Sequence, residues 1–147
     1  MNAMKTNLAF WDTSAIVPLC CFQAKSQELR QLRRKYEVVA WWASSIEGQS
    51  ALKRLLRDGE ISQTAYNEAT KRLHLQSENW REIRPIEKLR EIAKNLIENQ
   101  NLRTLDALQL SAALVWCFEK PKGRVFVCCD DKLSDASEKI GFTVLPK

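Results

Sequence analysis

Residues Asn7 to Leu19 read NLAFWDTSAIVPL. Four apolar residues, Leu8, Ala9, Phe10 and Trp11, stop abruptly at Asp12. Thr13 and Ser14 follow, and then an apolar run able to open a helix. The pattern is that of a buried strand that delivers one carboxylate to its C-terminal edge, with a helix starting just beyond. In open α/β sheets the crevice outside that edge is where sites form. The device recurs along the chain at Glu47, Asp106 and Asp130, each an acid near the start of a helix.

Outward from this stretch, Leu8–Asp12 is expected as the first strand and Thr13–Cys21 as a short helix, with Pro18 either early in it or kinking it. Ser26–Lys35 has Leu29 and Leu32 on one face of a charged helix. Glu37–Trp41 is a second strand. Ser44 or Ser45 caps a helix to about Arg57, stopped by Asp58-Gly59. Ser62–Ser77 is helical, with Ile61, Ala65, Ala69 and Leu73 on one side. Arg81–Arg84 reads as a short edge strand before Pro85. Ile86–Asn99 is an amphipathic helix with Ile86, Leu89, Ile92, Ala93, Leu96 and Ile97 inward. Thr104–Phe118 is so apolar that it belongs at the centre of the fold. After a turn at Pro121-Lys122-Gly123, Arg124–Cys129 lacks alternation, as a strand buried on both faces does. Asp131–Ile140 is a helix with Gly141 as its stop, and Thr143–Leu145 is a last strand. Strands separated by helices predict an α/β domain with a mostly parallel sheet covered on both faces, residues 1–147 forming one unit.

The chain has 147 residues, 45% hydrophobic and 28% charged, which fits a single soluble core. No apolar stretch suggests a membrane span, and the N-terminal residues are too weakly patterned for a secretory signal, so a cytoplasmic location is expected. The cysteines Cys20, Cys21, Cys117, Cys128 and Cys129 form neither a CxxC pattern nor a disulfide framework, and their apolar settings read as buried thiols. The net charge is +5. A basic body around an acidic centre suits an anionic polymer such as nucleic acid.

Each acid also has a purely local reason for its position. Asp12 and Asp130 suit N-caps. Ser44-Ser45-Ile46-Glu47 matches a capping box. Asp106 lies in a first helical turn, where the helix dipole favours it. Together they read differently. Four converging carboxylates repel one another unless divalent cations sit between them, and Mg²⁺ and Mn²⁺ prefer such oxygen ligands.

In four ordered blocks the sequence resembles the PIN-domain ribonucleases, particularly the VapC-type toxins of toxin–antitoxin pairs. The blocks are FWDTSAIVPL, VVAWWASSIEGQSAL, IEKLREIAKNLIENQNLRTLDALQLSAAL and VFVCCDDKLSDASEKIGFTVL. The resemblance implies a single PIN-like domain. Asp12, Glu47 and Asp106 would be the core metal-binding acids and Asp130 the fourth, with adjacent Asp131 as the alternative. Thr13 or Ser14 would be a hydroxyl near the metal. It also implies a homodimer and an antitoxin whose C-terminal segment covers the site. Cys128 departs from the family's frequent Thr or Ser. Gln109 and Ser111 replace a frequent His and Ala and are expected to matter little.

The expected chemistry is Mg²⁺- or Mn²⁺-assisted hydrolysis of RNA phosphodiesters at Asp12, Glu47, Asp106 and Asp130. Arg103, Lys132 and Arg124 are candidate phosphate contacts. His74, far from the acid blocks, is expected to be structural or exposed. Of Trp11, Trp41 and Trp42, the first belongs in the core, and the other two cannot both point inward from a strand. The competing expectation is a PIN-like module that has lost catalysis and acts through protein binding. A nucleotide-binding enzyme is disfavoured: the four glycines form neither G-x-G-x-x-G nor a Walker loop.

Overall fold

The computed structural model describes residues 7–147. Among them, five strands form one all-parallel sheet, with seven helices around it. β1 (Asn7–Trp11) is followed by α1 (Thr13–Cys20) and α2 (Ser26–Lys35). β2 (Tyr36–Trp41) leads to α3 (Ser44–Arg57) and α4 (Gln63–Ser77). β3 (Arg81–Ile83) precedes α5 (Glu87–Gln100) and α6 (Thr104–Trp116), and β4 (Val125–Val127), α7 (Asp131–Ile140) and β5 (Thr143–Leu145) complete the order. The architecture is α/β and consistent with a PIN-like fold.

The sheet runs β3-β2-β1-β4-β5. The chain moves outward from β1 to β3, then crosses back to place β4 on the other side of β1. The order therefore reverses between β1 and β4, where the crevice at the strand ends opens. Phe10 pairs with Phe126 and Trp11 with Val127 in that register.

Alternation along each strand divides the core in two. Phe10, Val39, Trp41 and Phe126 face α5, α6 and α7. Ala9, Trp11, Val38, Ala40 and Val127 face α1 to α4. Phe10 stacks on Phe126 with ring centroids 5.4 Å apart, and Phe126 meets Phe142 at the same distance. β4 packs on both layers, as its unbroken apolar sequence predicts.

Several boundaries differ from the sequence expectation. β4 is only Val125–Val127; Cys128 still donates its N–H to the Leu145 carbonyl of β5 at 2.9 Å, and the chain then turns as its Sγ accepts from the Asp130 N–H at 3.4 Å. Pro18 lies inside α1, beyond its first turn. α1 ends soon after it, and buried Ser26 supports the exit by donating to the Pro18 carbonyl at 2.7 Å. Ile86 and Ile97, expected inward, are half exposed; Leu89, Ile92, Ala93 and Leu96 carry the α5 contact. Trp41 is buried and Trp42 is partly exposed. Four cysteines are buried and Cys129 is intermediate. No helix of the described residues is long and apolar enough to cross a membrane.

Candidate functional site

Asp12 follows β1 directly. Its backbone N–H donates to the Val127 carbonyl of β4 at 2.9 Å, so the residue is fixed at the β1/β4 junction. Its extended backbone ends the strand, while Oδ2 accepts from the Ser14 N–H at 3.1 Å and caps α1. The capping role is real, and it leaves Oδ1 uncommitted to that bond. Asp130 behaves likewise after β4: Oδ1 accepts from the Leu133 N–H at 2.8 Å and caps α7.

Glu47 lies in the first turn of α3 after β2. The expected capping box does not form. Ala43, not Ser44 or Ser45, is the N-cap, and no side chain caps the helix. Ser44 turns inward and Glu47 turns toward the sheet crevice because both are bonded by a distant residue, Gln109. The two N–H groups of Gln109 Nε2 are shared among three acceptors: Thr13 Oγ1 at 2.9 Å, Ser44 Oγ at 3.2 Å and Glu47 Oε1 at 3.2 Å. Thr13 Oγ1 in turn donates to Glu47 Oε1 at 3.3 Å. Glu47 Oε2 is buried and has no hydrogen-bond partner.

Asp106 and Gln109 are three residues apart and so share one face of α6. The expectation that Gln109 matters little is corrected: it ties α6 to α1 and α3. The one signal available was a polar residue inside an apolar helix, one turn after the acid. Ser111 donates to the Leu89 carbonyl and so joins α6 to α5.

Burial and mutual repulsion set the electrostatics. Burial pushes the Asp12 carboxyl up to about 6, with Asp106 and Asp130 adding to the rise and the Ser14 bonds opposing it. Glu47 is raised mainly by burial, with Asp12 and Asp106 contributing. Asp106 is raised by burial and by Asp130, against the pull of Lys132 and Arg103. The four acids from four segments thus lie in one another's fields. Asp131 is exposed and lines a different hollow with Lys25, Ser134 and Lys147, so Asp130 is the acid turned toward the others.

Ser14 and Thr13 divide the hydroxyl role. Thr13 faces Glu47, whereas Ser14 Oγ accepts from the Cys129 N–H at 2.9 Å and binds α1 to the end of β4. Cys128 brings its thiol within 3.8 Å of Asp12 Oδ2 and 3.7 Å of Ser14 Oγ.

Two cavities flank the acids. One of about 610 Å³ lies between α1 and α3 and is lined by Thr13, Ser14, Glu47 and Arg54. The other, about 750 Å³, is lined by Arg103, Asp106, Asp130 and again Arg54. Leu105 also borders both. Arg54 went unnoticed in the sequence although it stands two helical turns after Glu47, on the same face of α3. Arg124 is corrected in the other sense. It lines a hollow with Asn7 and Tyr36 at the starts of the strands and lies over the Trp116 ring at 5.4 Å, at the opposite edge of the sheet. His74 is exposed on α4 and faces Glu78 at 3.6 Å.

The fold has a solved counterpart. The chain is similar to a chain of the toxin–antitoxin complex from Klebsiella pneumoniae, with a TM-score of 0.62 and 14% sequence identity. The match covers 84% of this chain and 88% of that one. At this identity the likeness speaks for the fold alone. No protein-family model and no curated protein matches the sequence.

The donor set fits a hard divalent cation in its chemistry: carboxylate oxygens, one of them buried without a partner, and withdrawn acids whose charges oppose one another. As they stand, no three acidic, histidine or cysteine side chains among the described residues are gathered closely enough to enclose an ion.

Proposed function

We propose that the protein is a metal-dependent endoribonuclease and the toxin component of a toxin–antitoxin pair. The observation that supports the reading is that Asp12, Glu47, Asp106 and Asp130 border the β1/β4 reversal within one another's electrostatic reach, with Asp12 strongly desolvated and Glu47 Oε2 left without a donor. Asp12, Glu47 and Asp106 would hold Mg²⁺ or Mn²⁺, with Asp130 at their side. When bound, such a cation supplies an acidified water and a counter-charge for phosphate oxygens. Arg54, Arg103 and Lys132 border the acids and suit the flanking phosphates of an RNA strand. The likeness to a chain of a toxin–antitoxin complex supports a protein antitoxin as partner.

The test is cleavage of a mixed structured RNA pool with Mg²⁺ or Mn²⁺, beside Asp106→Asn prepared identically. Metal-dependent cutting that the variant loses is the expected result. Equal cutting by both proteins, or by neither, would overturn the nuclease reading. A second reading, a PIN-like module acting through protein binding, draws on the open spacing of the acids. It requires that the wild type cut no RNA yet capture a partner protein.

A further inference from the structure

We infer that Gln109 is a positioning residue for the acidic site: its buried carboxamide holds Glu47 and Thr13 so that one Glu47 oxygen is tied down and the other is offered to a divalent cation. The inference rests on the metal reading proposed above.

Gln109 is 1% exposed, in a helix whose buried face is otherwise mostly apolar. An amide withdrawn this far from water is costly unless its hydrogen-bonding groups are matched. Its nitrogen is matched, by acceptors on two other helices that lie 62 to 96 residues away in sequence. Its oxygen is buried without a partner. An ionised carboxylate only accepts hydrogen bonds, so the amide must present its nitrogen to Glu47 and turn its oxygen away.

The consequence falls on Glu47. Thr13 and Gln109 both donate to Oε1, which fixes the carboxylate plane and leaves Oε2 bare. Asp106 lies one turn earlier on the same face of α6, so the amide also sets where that helix stands relative to Glu47. Groups that orient ligating carboxylates characteristically carry about a ten- to hundredfold effect on metal affinity or activity.

The experiment compares wild type with Gln109→Met, which keeps length and apolar volume, and Gln109→His, which restores an N–H donor. Mn²⁺ binding is measured by titration without RNA, and the Glu47 carboxyl-carbon NMR resonance is followed in metal-free protein. Q109M should shift that resonance and weaken Mn²⁺ binding about tenfold or more, with Q109H recovering most of the loss. If Q109M does not fold, Gln109→Asn, which keeps the amide but shortens its reach, is expected to show the same two changes. A folded Q109M or Q109N with unchanged resonance and Mn²⁺ affinity overturns the inference, even if the wild type cleaves RNA. A wild type that takes up no Mn²⁺ overturns it as well. A wild type that binds Mn²⁺ and cuts nothing defeats the nuclease reading, while the Mn²⁺ and NMR comparison still decides the role of Gln109.

Discussion

The Cys128 thiol points at Oδ2 of Asp12 from 3.8 Å, beside a bond from the Ser14 N–H to the same oxygen. A thiol is a weak donor, so the backbone bond is the stronger support for the ionised acid. Cys128→Ser places a hydroxyl there. It should stabilise the carboxylate and move the acid limb of Mn²⁺ binding to lower pH, by up to about one unit in a titration between about pH 5 and pH 8. A limb that does not move would mean that position 128 contributes nothing to Asp12.

Asp12 makes the metal-free fold sensitive to pH. Its folded pKa of about 6 lies above its ordinary 3.8. Between these values the folded chain keeps a proton that the unfolded chain has released, so stability falls as pH rises through that window. Above it, the ionised acid costs the metal-free protein about 3 kcal/mol. Asp12→Asn keeps a cap acceptor and removes the charge. Urea unfolding should find D12N more stable than wild type near pH 8 and equal to it near pH 4. Added Mg²⁺ should raise the stability of wild type alone. A D12N advantage that is the same at both pH values would refute the assignment.

Arg54 borders the cavities on both sides of the acids. If a single RNA strand crosses there, Arg54→Ala should lower affinity severalfold and reduce the slope of log K against log salt by about 0.7. Lysine at the position should keep the slope. The binding is best measured on the Asp106→Asn background, where cutting does not interfere. An unchanged slope would take Arg54 out of the strand's path.

Ser26 is fully buried. Its hydroxyl accepts from the Gln23 N–H and donates to the Pro18 carbonyl, both at 2.7 Å. It thereby shapes the short link between α1 and α2. Ser26→Ala leaves a buried donor and acceptor without that partner and should cost about 1–3 kcal/mol in urea unfolding. A smaller loss would show that water reaches the link.

The strands, the helices and the positions of the acids follow from local signals: apolar runs that stop at Asp12 and before Asp130, and helical spacing on either side of them. What the sequence hid is long-range. The local pattern at Ser44 and Glu47 predicts a capping box, yet both side chains answer to Gln109, which arrives from a different face of the sheet. Arg124 adjoins the β4 block in sequence and so read as near the site, but it enters the strand at the end opposite the acids. Ile86 and Ile97 continue the α5 stripe, yet they fall at its margins, beyond the width that α6 covers. Periodicity tells which way a residue points on its own helix, and not whether a neighbour is long enough to meet it.

The insertion of β4 beside β1 has a kinetic consequence. Asp12 and Cys128, which meet at the junction, are 116 residues apart in the chain. Contacts of such separation form late, because the entropy of closing the intervening loop must be lost before they are made. Until β4 docks, Asp130 and one wall of the crevice are missing, although β1–β2 pairing and the Gln109 bonds already link the segments that carry Asp12, Glu47 and Asp106. A partly folded copy therefore lacks the full set of four acids, which comes together only when β4 pairs with β1.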